Sequence, residues 1–170
     1  MTENDILKYF TAEKTESLIF VIIGLLAVIV ACYVRFSFRT DFYKGLFYSL
    51  VIIAMIQIFV GGTVYFRSPG DIARVTSFLQ NDPEKLKSEE MPRMALVNKN
   101  FVIYRYVEIA LALVGLFFCF SFNKHSFWFG IGLGLTIQAS ILLVADYFAE
   151  RRALEYTELL KNFIDYKITS

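Results

Sequence analysis

The stretch LIFVIIGLLAVIVACYV, residues 18–34, contains no charged side chain and decides the fold class. At 1.5 Å per residue, a helix of about 20 residues crosses a hydrocarbon core of about 30 Å. Three further apolar runs of comparable length follow at 46–66, 101–122 and 127–148. Backbone polar groups cannot stay unpaired in lipid, and these runs do not alternate as the strands of a barrel do. We therefore expect four transmembrane helices.

The composition of the whole chain agrees with this prediction. Of the 170 residues, 56% are hydrophobic, whereas soluble domains contain about 45–50% apolar residues. The net charge of +1 indicates neither a nucleic-acid partner nor a polybasic lipid anchor. The first apolar run follows an acidic segment and lacks a small-residue cleavage site, so it is expected to be a retained helix and not a signal peptide. The lipid bilayer is thus the predicted partner of a multi-pass membrane protein.

The segments outside the apolar runs are expected to lie mostly on one side of the membrane, called side A. An even number of spans places both termini there, together with the connection 67–100, and leaves short turns on side B. Three of these side A segments are predicted to be helical and to pack together through their apolar faces: 3–16, 69–100 and 149–167. Ser68 and Pro69 have the order of a helix start, and Pro92 is expected to open a helix that continues into the third span.

The chain is expected to form one membrane domain. The two helical hairpins could be related, but no residue pattern recurs clearly enough to predict a repeat. Small residues are predicted to mark close contacts between helices: Gly61, Gly62, Gly130, Gly132 and Gly134. Lys and Arg residues near the spans favour side A in the cytoplasm, with a bacterial inner membrane as the expected location, although the flanks of the first span argue for the opposite orientation.

Strongly polar side chains interrupt the apolar runs, and three of them share one predicted depth. Counted inward from side A, Gln57, Glu108 and Gln138 lie roughly 12–15 Å below the boundary. Arg105 lies about one turn nearer side A, on the same helix face as Glu108. A charge in hydrocarbon costs at least about 2.5 kcal/mol, so Arg105 and Glu108 are expected to pair in the interior. Further charges are predicted at the side A boundary: Glu13, Glu16, Arg67, Asp146 and Arg151.

Two interpretations of these intramembrane residues are open. In the first, Arg105 and Glu108 pair, and the amides of Gln57 and Gln138 complete their hydrogen bonds, so that the layer fixes the register of the helices. In the second, Glu108 is a protonatable carboxylate that binds a proton or a cation, as in small multidrug transporters. The chain resembles such families in size and number of spans, although none of their motifs is recognisable. Opposite charges on one helix face favour the first interpretation.

Few residues are suited to catalysis or to metal binding. His125 is the single histidine, and the chain contains no C-x-x-C, no phosphate-binding loop and no nucleophile motif. Cys32 and Cys119 fit small apolar positions in a bundle. Three acidic residues of the connection fit a solvated face better than a metal site: Glu84, Glu89 and Glu90. We therefore predict no catalytic residue, no metal and no cofactor.

These observations together favour a non-enzymatic, all-α membrane protein. Its four-helix bundle would be held in register by the intramembrane polar residues, and its side A helices would dock a protein partner. The alternative is a small oligomeric transporter or channel that uses the pair of Arg105 and Glu108. A lipid-modifying enzyme ranks third, because the catalytic groups for it are missing.

Overall fold

A computed structural model describes residues 1–168, which fold into four long helices. These are α1 (Glu3–Ser37), α2 (Asp41–Asn81), α3 (Met91–Ser121) and α4 (Phe127–Ile168), with a short π-helical segment, Leu86–Glu90, between α2 and α3. Among the described residues all regular structure is helical, so the predicted all-α class is confirmed.

Each helix contains a stretch that is long and apolar enough to cross a membrane, judged by length and composition. Only 17% of this stretch is buried in α1, and only 11% in the helical stretch that ends with α3. Many large apolar side chains on these stretches point away from the protein, among them Ile29, Phe36, Phe59, Phe117 and Phe120. Soluble monomers rarely expose contiguous apolar surfaces of this extent.

The helix α2 passes through Pro69 without ending, so the helix start predicted at Ser68 is wrong. Pro69 lies inside α2, and the Ser68 hydroxyl donates a hydrogen bond to the Val64 carbonyl oxygen at 2.8 Å. Proline removes one backbone hydrogen bond from a helix. Residues buried on both sides of it, such as Gly61 and Val75, keep the segment helical because packing outweighs the lost bond. The prediction for Pro92 is confirmed, since it lies in the first turn of α3.

The helices pack side by side in the order α1, α2, α4, α3. Among residues 1–168, no Cα atom of α3 lies within 8 Å of a Cα atom of α1 or α2. The inner pair, α2 and α4, therefore connects two hairpins. Helix α1 also meets α4 near the chain termini, where the rings of Tyr9 and Tyr156 stack with centroids 4.2 Å apart.

Glycines allow the neighbouring helices to approach closely. A Cβ atom on Gly45 would lie 1.9 Å from the carbonyl oxygen of Phe127, and one on Gly130 would lie 2.1 Å from that of Phe42. Similar close approaches join α1 to α2, α2 to α4 and α3 to α4, at Gly24, Gly61, Gly115, Gly132 and Gly134. Gly62 is an exception among the predicted contact glycines, because a Cβ there would meet nothing within 4 Å.

The helix ends nearest the chain termini pack around one hydrophobic core, here called the terminal core. Its buried residues come from all four helices and the π-helical segment: Ile6, Tyr9, Phe10, Val75, Leu86, Met94, Ala153, Tyr156, Leu160 and Ile164. Residues of the three segments predicted to be helical, 3–16, 69–100 and 149–167, thus pack against one another in this core. The start of α1, the connection between α2 and α3 and the end of α4 meet at the same end of the molecule.

Candidate functional site

The three residues predicted to share one depth are all buried. Gln57 on α2, Glu108 on α3 and Gln138 on α4 are 2%, 5% and 1% exposed. Neighbouring side chains of the protein, and not the outer surface, therefore surround them. Together with Asp146 of α4, they are called the polar layer below.

The carboxyl group of Glu108 faces that of Asp146. The two groups lie close enough to interact directly. Two ionised carboxylates at such a distance repel each other, so the arrangement favours a proton on one of them. The sequence predicted Asp146 among the boundary charges and did not connect it with Glu108. A helical side chain leans toward the N-terminus of its helix, so Glu108 extends toward the terminal core, where Asp146 lies on the antiparallel α4.

Arg105 pairs with Glu150 and not with Glu108, so the pairing predicted from the sequence is wrong. The Arg105 side chain is 48% exposed. The long arginine side chain extends toward the terminal core, and Glu150 lies one turn beyond Asp146 in that direction. Among residues 1–168, Glu108 and Asp146 form no ion pair with a basic side chain.

The amides of Gln57 and Gln138 make no hydrogen bond with any described residue. In both side chains the nitrogen and the oxygen are buried and unpaired, as is Oε2 of Glu108. An unpaired buried polar group costs about 1–3 kcal/mol. The first interpretation required these amides to complete the hydrogen bonds of the layer. The observed geometry does not provide those bonds within the protein.

The boundary charges on α1 and α2 form ion pairs near the terminal core. Arg67 contacts Glu13 at 3.5 Å and Asp71 at 2.8 Å, and Asp71 also contacts Arg74 at 2.9 Å. Burial raises the pKa of the Glu13 carboxyl, and the nearby Arg67 opposes this effect. On α4, Arg152 pairs with Glu16 of α1. The pairs of Arg67 with Glu13 and of Arg152 with Glu16 connect α1 to both α2 and α4.

The remaining predicted boundary residue, Arg151, is exposed and pairs with no carboxylate among the described residues. Its guanidinium group lies 5.9 Å from the centroid of the Tyr147 ring. A cation over an aromatic face at an exposed site contributes about 0.5–1 kcal/mol. Arg151 thus lies on the outer surface of α4, away from the polar layer.

Glu90 is the buried charge that sequence reasoning missed. It is 1% exposed, whereas the sequence predicted a solvated acidic face. Arg93 donates two hydrogen bonds to it, at 2.7 and 2.9 Å, and the Tyr156 hydroxyl donates a third at 3.2 Å. Burial raises the pKa of the Tyr156 hydroxyl, and the Glu90 charge adds to the effect. Burial alone would lower the pKa of Arg93, but its hydrogen bonds and charge interaction with Glu90 raise it overall.

No group of three or more histidine, cysteine, aspartate or glutamate side chains within residues 1–168 is placed to hold a metal ion. Cys32 and Cys119 are both free thiols. Comparisons with protein-family models, with curated proteins and with solved structures found no match to this chain.

Proposed function

We propose that the chain is a multi-pass integral membrane protein that binds a proton or a small monovalent cation in the polar layer. It would act as a small transporter or channel. One observation carries this proposal: the carboxyl groups of Glu108 and Asp146 lie close together, away from any basic side chain. The exposed apolar stretches of the four helices support insertion into a bilayer. A bacterial inner membrane, with side A in the cytoplasm, remains part of the proposal.

The charge of the layer favours a positive ligand. The two carboxyl groups carry at least one negative charge unless both are protonated, and Arg105 is engaged by Glu150. An uncompensated charge in hydrocarbon is costly, so a proton or a cation that neutralises it gains binding free energy. Carboxylate and amide oxygens are also the ligands that hard cations prefer. The unpaired amides of Gln57 and Gln138 can supply such oxygens.

The packing of the helices favours an oligomer as the working unit. Four helices in the order α1, α2, α4, α3 leave the Cα atoms of α3 more than 8 Å from those of α1 and α2 among the described residues, and side chains of the terminal core make the contacts between them. An arrangement of this kind does not enclose a path across the membrane by itself. Helices of a second copy of the chain would complete the enclosure of this path.

Replacing Glu108 with glutamine is expected to reduce proton flux at least tenfold while leaving the fold intact. Glutamine keeps the size of the side chain but cannot carry the exchangeable proton. The flux is measured in proteoliposomes that contain a pH-sensitive dye and a potassium gradient with valinomycin. Sodium, potassium and choline chloride are compared as the external salt, which separates proton movement from cation movement.

The control variant for this experiment is Glu89→Gln, because Glu89 is an exposed acid outside the spans. It should behave like the wild type in the same vesicles. The proposal is contradicted if the wild type and Glu108→Gln give equal fluxes in all three salts, or if the wild-type flux does not exceed that of empty vesicles.

A second proposal is that the side A helices dock a protein partner. Four exposed leucines outside the spans favour it: Leu7, Leu96, Leu154 and Leu159, which are 40–57% exposed. Purification in mild detergent should recover a stoichiometric partner, and Leu154→Glu together with Leu159→Glu should remove it. Lys161→Glu serves as a control on the same exposed helix end. Repeated recovery of the pure chain alone would count against docking.

A further inference from the structure

We infer that the chain is a tandem repeat of one two-helix unit. Repeat 1 comprises α1 and α2 (3–81), and repeat 2 comprises α3 and α4 (91–168). Their inner helices make reciprocal contacts. A Cβ on Gly45 would meet backbone atoms of Phe127 and Ile131, and a Cβ on Gly130 would meet those of Phe42 and Leu46. Residues 42, 45 and 46 each lie 85 positions before 127, 130 and 131. Reciprocal contacts of this kind are the mark of a two-fold axis.

Many buried positions of the inner pair recur at the same offset. Ala54 and Ala139 are both fully buried, and so are Val75 and Leu160. Further buried pairs at the same offset of 85 are Ser68 with Ala153 and Asp71 with Tyr156. Most buried positions of α2 thus have a buried counterpart on α4.

The outer helices correspond with an offset of 84. Phe10 and Met94 are fully buried, and two further buried pairs are Gly24 with Glu108 and Ala31 with Gly115. The offset changes from 84 to 85 in the turns that join α1 to α2 and α3 to α4. Both turns begin with Phe-Ser-Phe, at 36–38 and 120–122, and both lead into Phe-aromatic-x-Gly, at 42–45 and 127–130. The second turn contains one more residue between these two motifs.

This correspondence assigns the acidic pair to positions that hold glycine in repeat 1. Glu108 corresponds to Gly24, and Asp146 corresponds to Gly61. In repeat 1 these glycines bring the helices together, because a Cβ on Gly24 would lie 2.8 Å from Ile58 Cγ1 and one on Gly61 3.0 Å from the Ser17 carbonyl oxygen. The unit therefore packs its two helices without carboxyl groups at these positions.

The acidic pair is accordingly a specialised feature of repeat 2 and not a requirement of packing. This step rests on the function proposed above, and it deepens that proposal in one respect. Repeat 1 has no equivalent of the acidic pair, so each chain carries one site for a proton or a cation and not two. The two repeats then share one fold, but only repeat 2 carries the site for a proton or a cation.

The repeat itself is tested by matched substitutions at corresponding positions. Ala54→Leu and Ala139→Leu should lower the melting temperature in detergent by similar amounts, roughly 5 °C or more each, because both overfill the same kind of contact. The exposed pair Ile56→Ala and Ile141→Ala is the control, with little change expected in either. A drop for one alanine position that is more than twice the drop for the other would overturn the repeat.

The specialised role of the acidic pair is tested with the double variant E108A/D146A. It should melt within about 3 °C of the wild type and should lose the salt and pH dependence of the vesicle flux. E108Q/D146N retains the shape of both side chains and provides a second variant. If E108A/D146A fails to fold while E108Q/D146N folds, the carboxyl positions are needed for packing and the specialised role is wrong.

The outcomes for the repeat and for the proposed function are distinguishable. If the wild type shows no proton or cation flux, the proposed function fails, but equal effects at Ala54 and Ala139 still support the repeat. If flux is present and sodium titration of the wild type gives two equivalent sites per chain, the assignment of one site to repeat 2 is overturned.

Discussion

Gly130→Ala is expected to lower the melting temperature of the detergent-solubilised protein by roughly 6–12 °C, which corresponds to about 3 kcal/mol or more. The added methyl group would lie 2.1 Å from the Phe42 carbonyl oxygen and 2.8 Å from the Leu46 nitrogen. These are backbone atoms within a helix, so they cannot move aside without separating α2 from α4. Gly45→Ala should have the same effect, because it makes the reciprocal collision with Phe127.

Gly62→Ala is the matched control, since a Cβ at this position meets nothing within 4 Å. It lies inside α2, where alanine favours the helix over glycine by up to about 1 kcal/mol. Its melting temperature should therefore equal or exceed that of the wild type. Equal melting of Gly130→Ala and Gly62→Ala would mean that α2 and α4 do not cross at these glycines.

Glu90→Ala should destabilise the protein by about 3–5 kcal/mol, the usual cost of removing one partner from a buried ion pair. The variant leaves the Arg93 guanidinium, 17% exposed, without its bidentate partner, and it also removes the acceptor of the Tyr156 hydroxyl. Arg93 cannot relieve this cost by losing its proton. Thermal melting monitored by circular dichroism measures the effect.

Glu89→Ala is the control for this substitution, because the neighbouring Glu89 is exposed. It should change stability by less than about 0.5 kcal/mol. The double variant E90L/R93L should recover part of the loss, since apolar residues can replace a buried ion pair as a unit. A Glu90→Ala variant as stable as Glu89→Ala would show that the buried contact contributes nothing to folding.

The number of long helices could be predicted from hydropathy alone, because four continuous apolar runs leave few other structures open to the backbone. Their full extent could not, since each helix continues beyond its apolar run. Local sequence motifs predicted the structure of the connection 67–100 less well. Ser68 and Pro69 have the composition of a helix start, yet they lie within α2. The buried positions before and after them are contacts between helices, which a local motif does not report.

The burial of the polar layer was predictable, but its pairing was not. Polar side chains within apolar runs are expected to face the interior, and Gln57, Glu108 and Gln138 are all buried. Which groups face each other depends on the register between helices, and this placed Asp146 on Glu108 and Glu150 on Arg105. That register is fixed by glycine contacts between residues far apart in the sequence.

Two other features were harder to predict from the sequence: the burial of Glu90 and the repeat of the two-helix unit. Glu90 follows Leu86 by four positions, a spacing that places both on one helix face, and both are buried. The repeat was hidden because its offset changes by one residue at the turn. Most matched positions share burial and not residue identity, as with Asp71 and Tyr156. Comparing which helix positions are buried reveals such a repeat, whereas comparing residue identities does not.

The unbroken course of α2 has a mechanical consequence. The helix crosses α4 at Gly45 and ends in the terminal core near Val75, about 30 residues or 45 Å further along. A helix that pivots at such a crossing acts as a lever, and a turn of about 5° moves its far end by roughly 4 Å. The polar layer lies between the pivot and the far end. Because α2 is continuous between these two points, we expect a change of its angle at the polar layer to displace the terminal core as well.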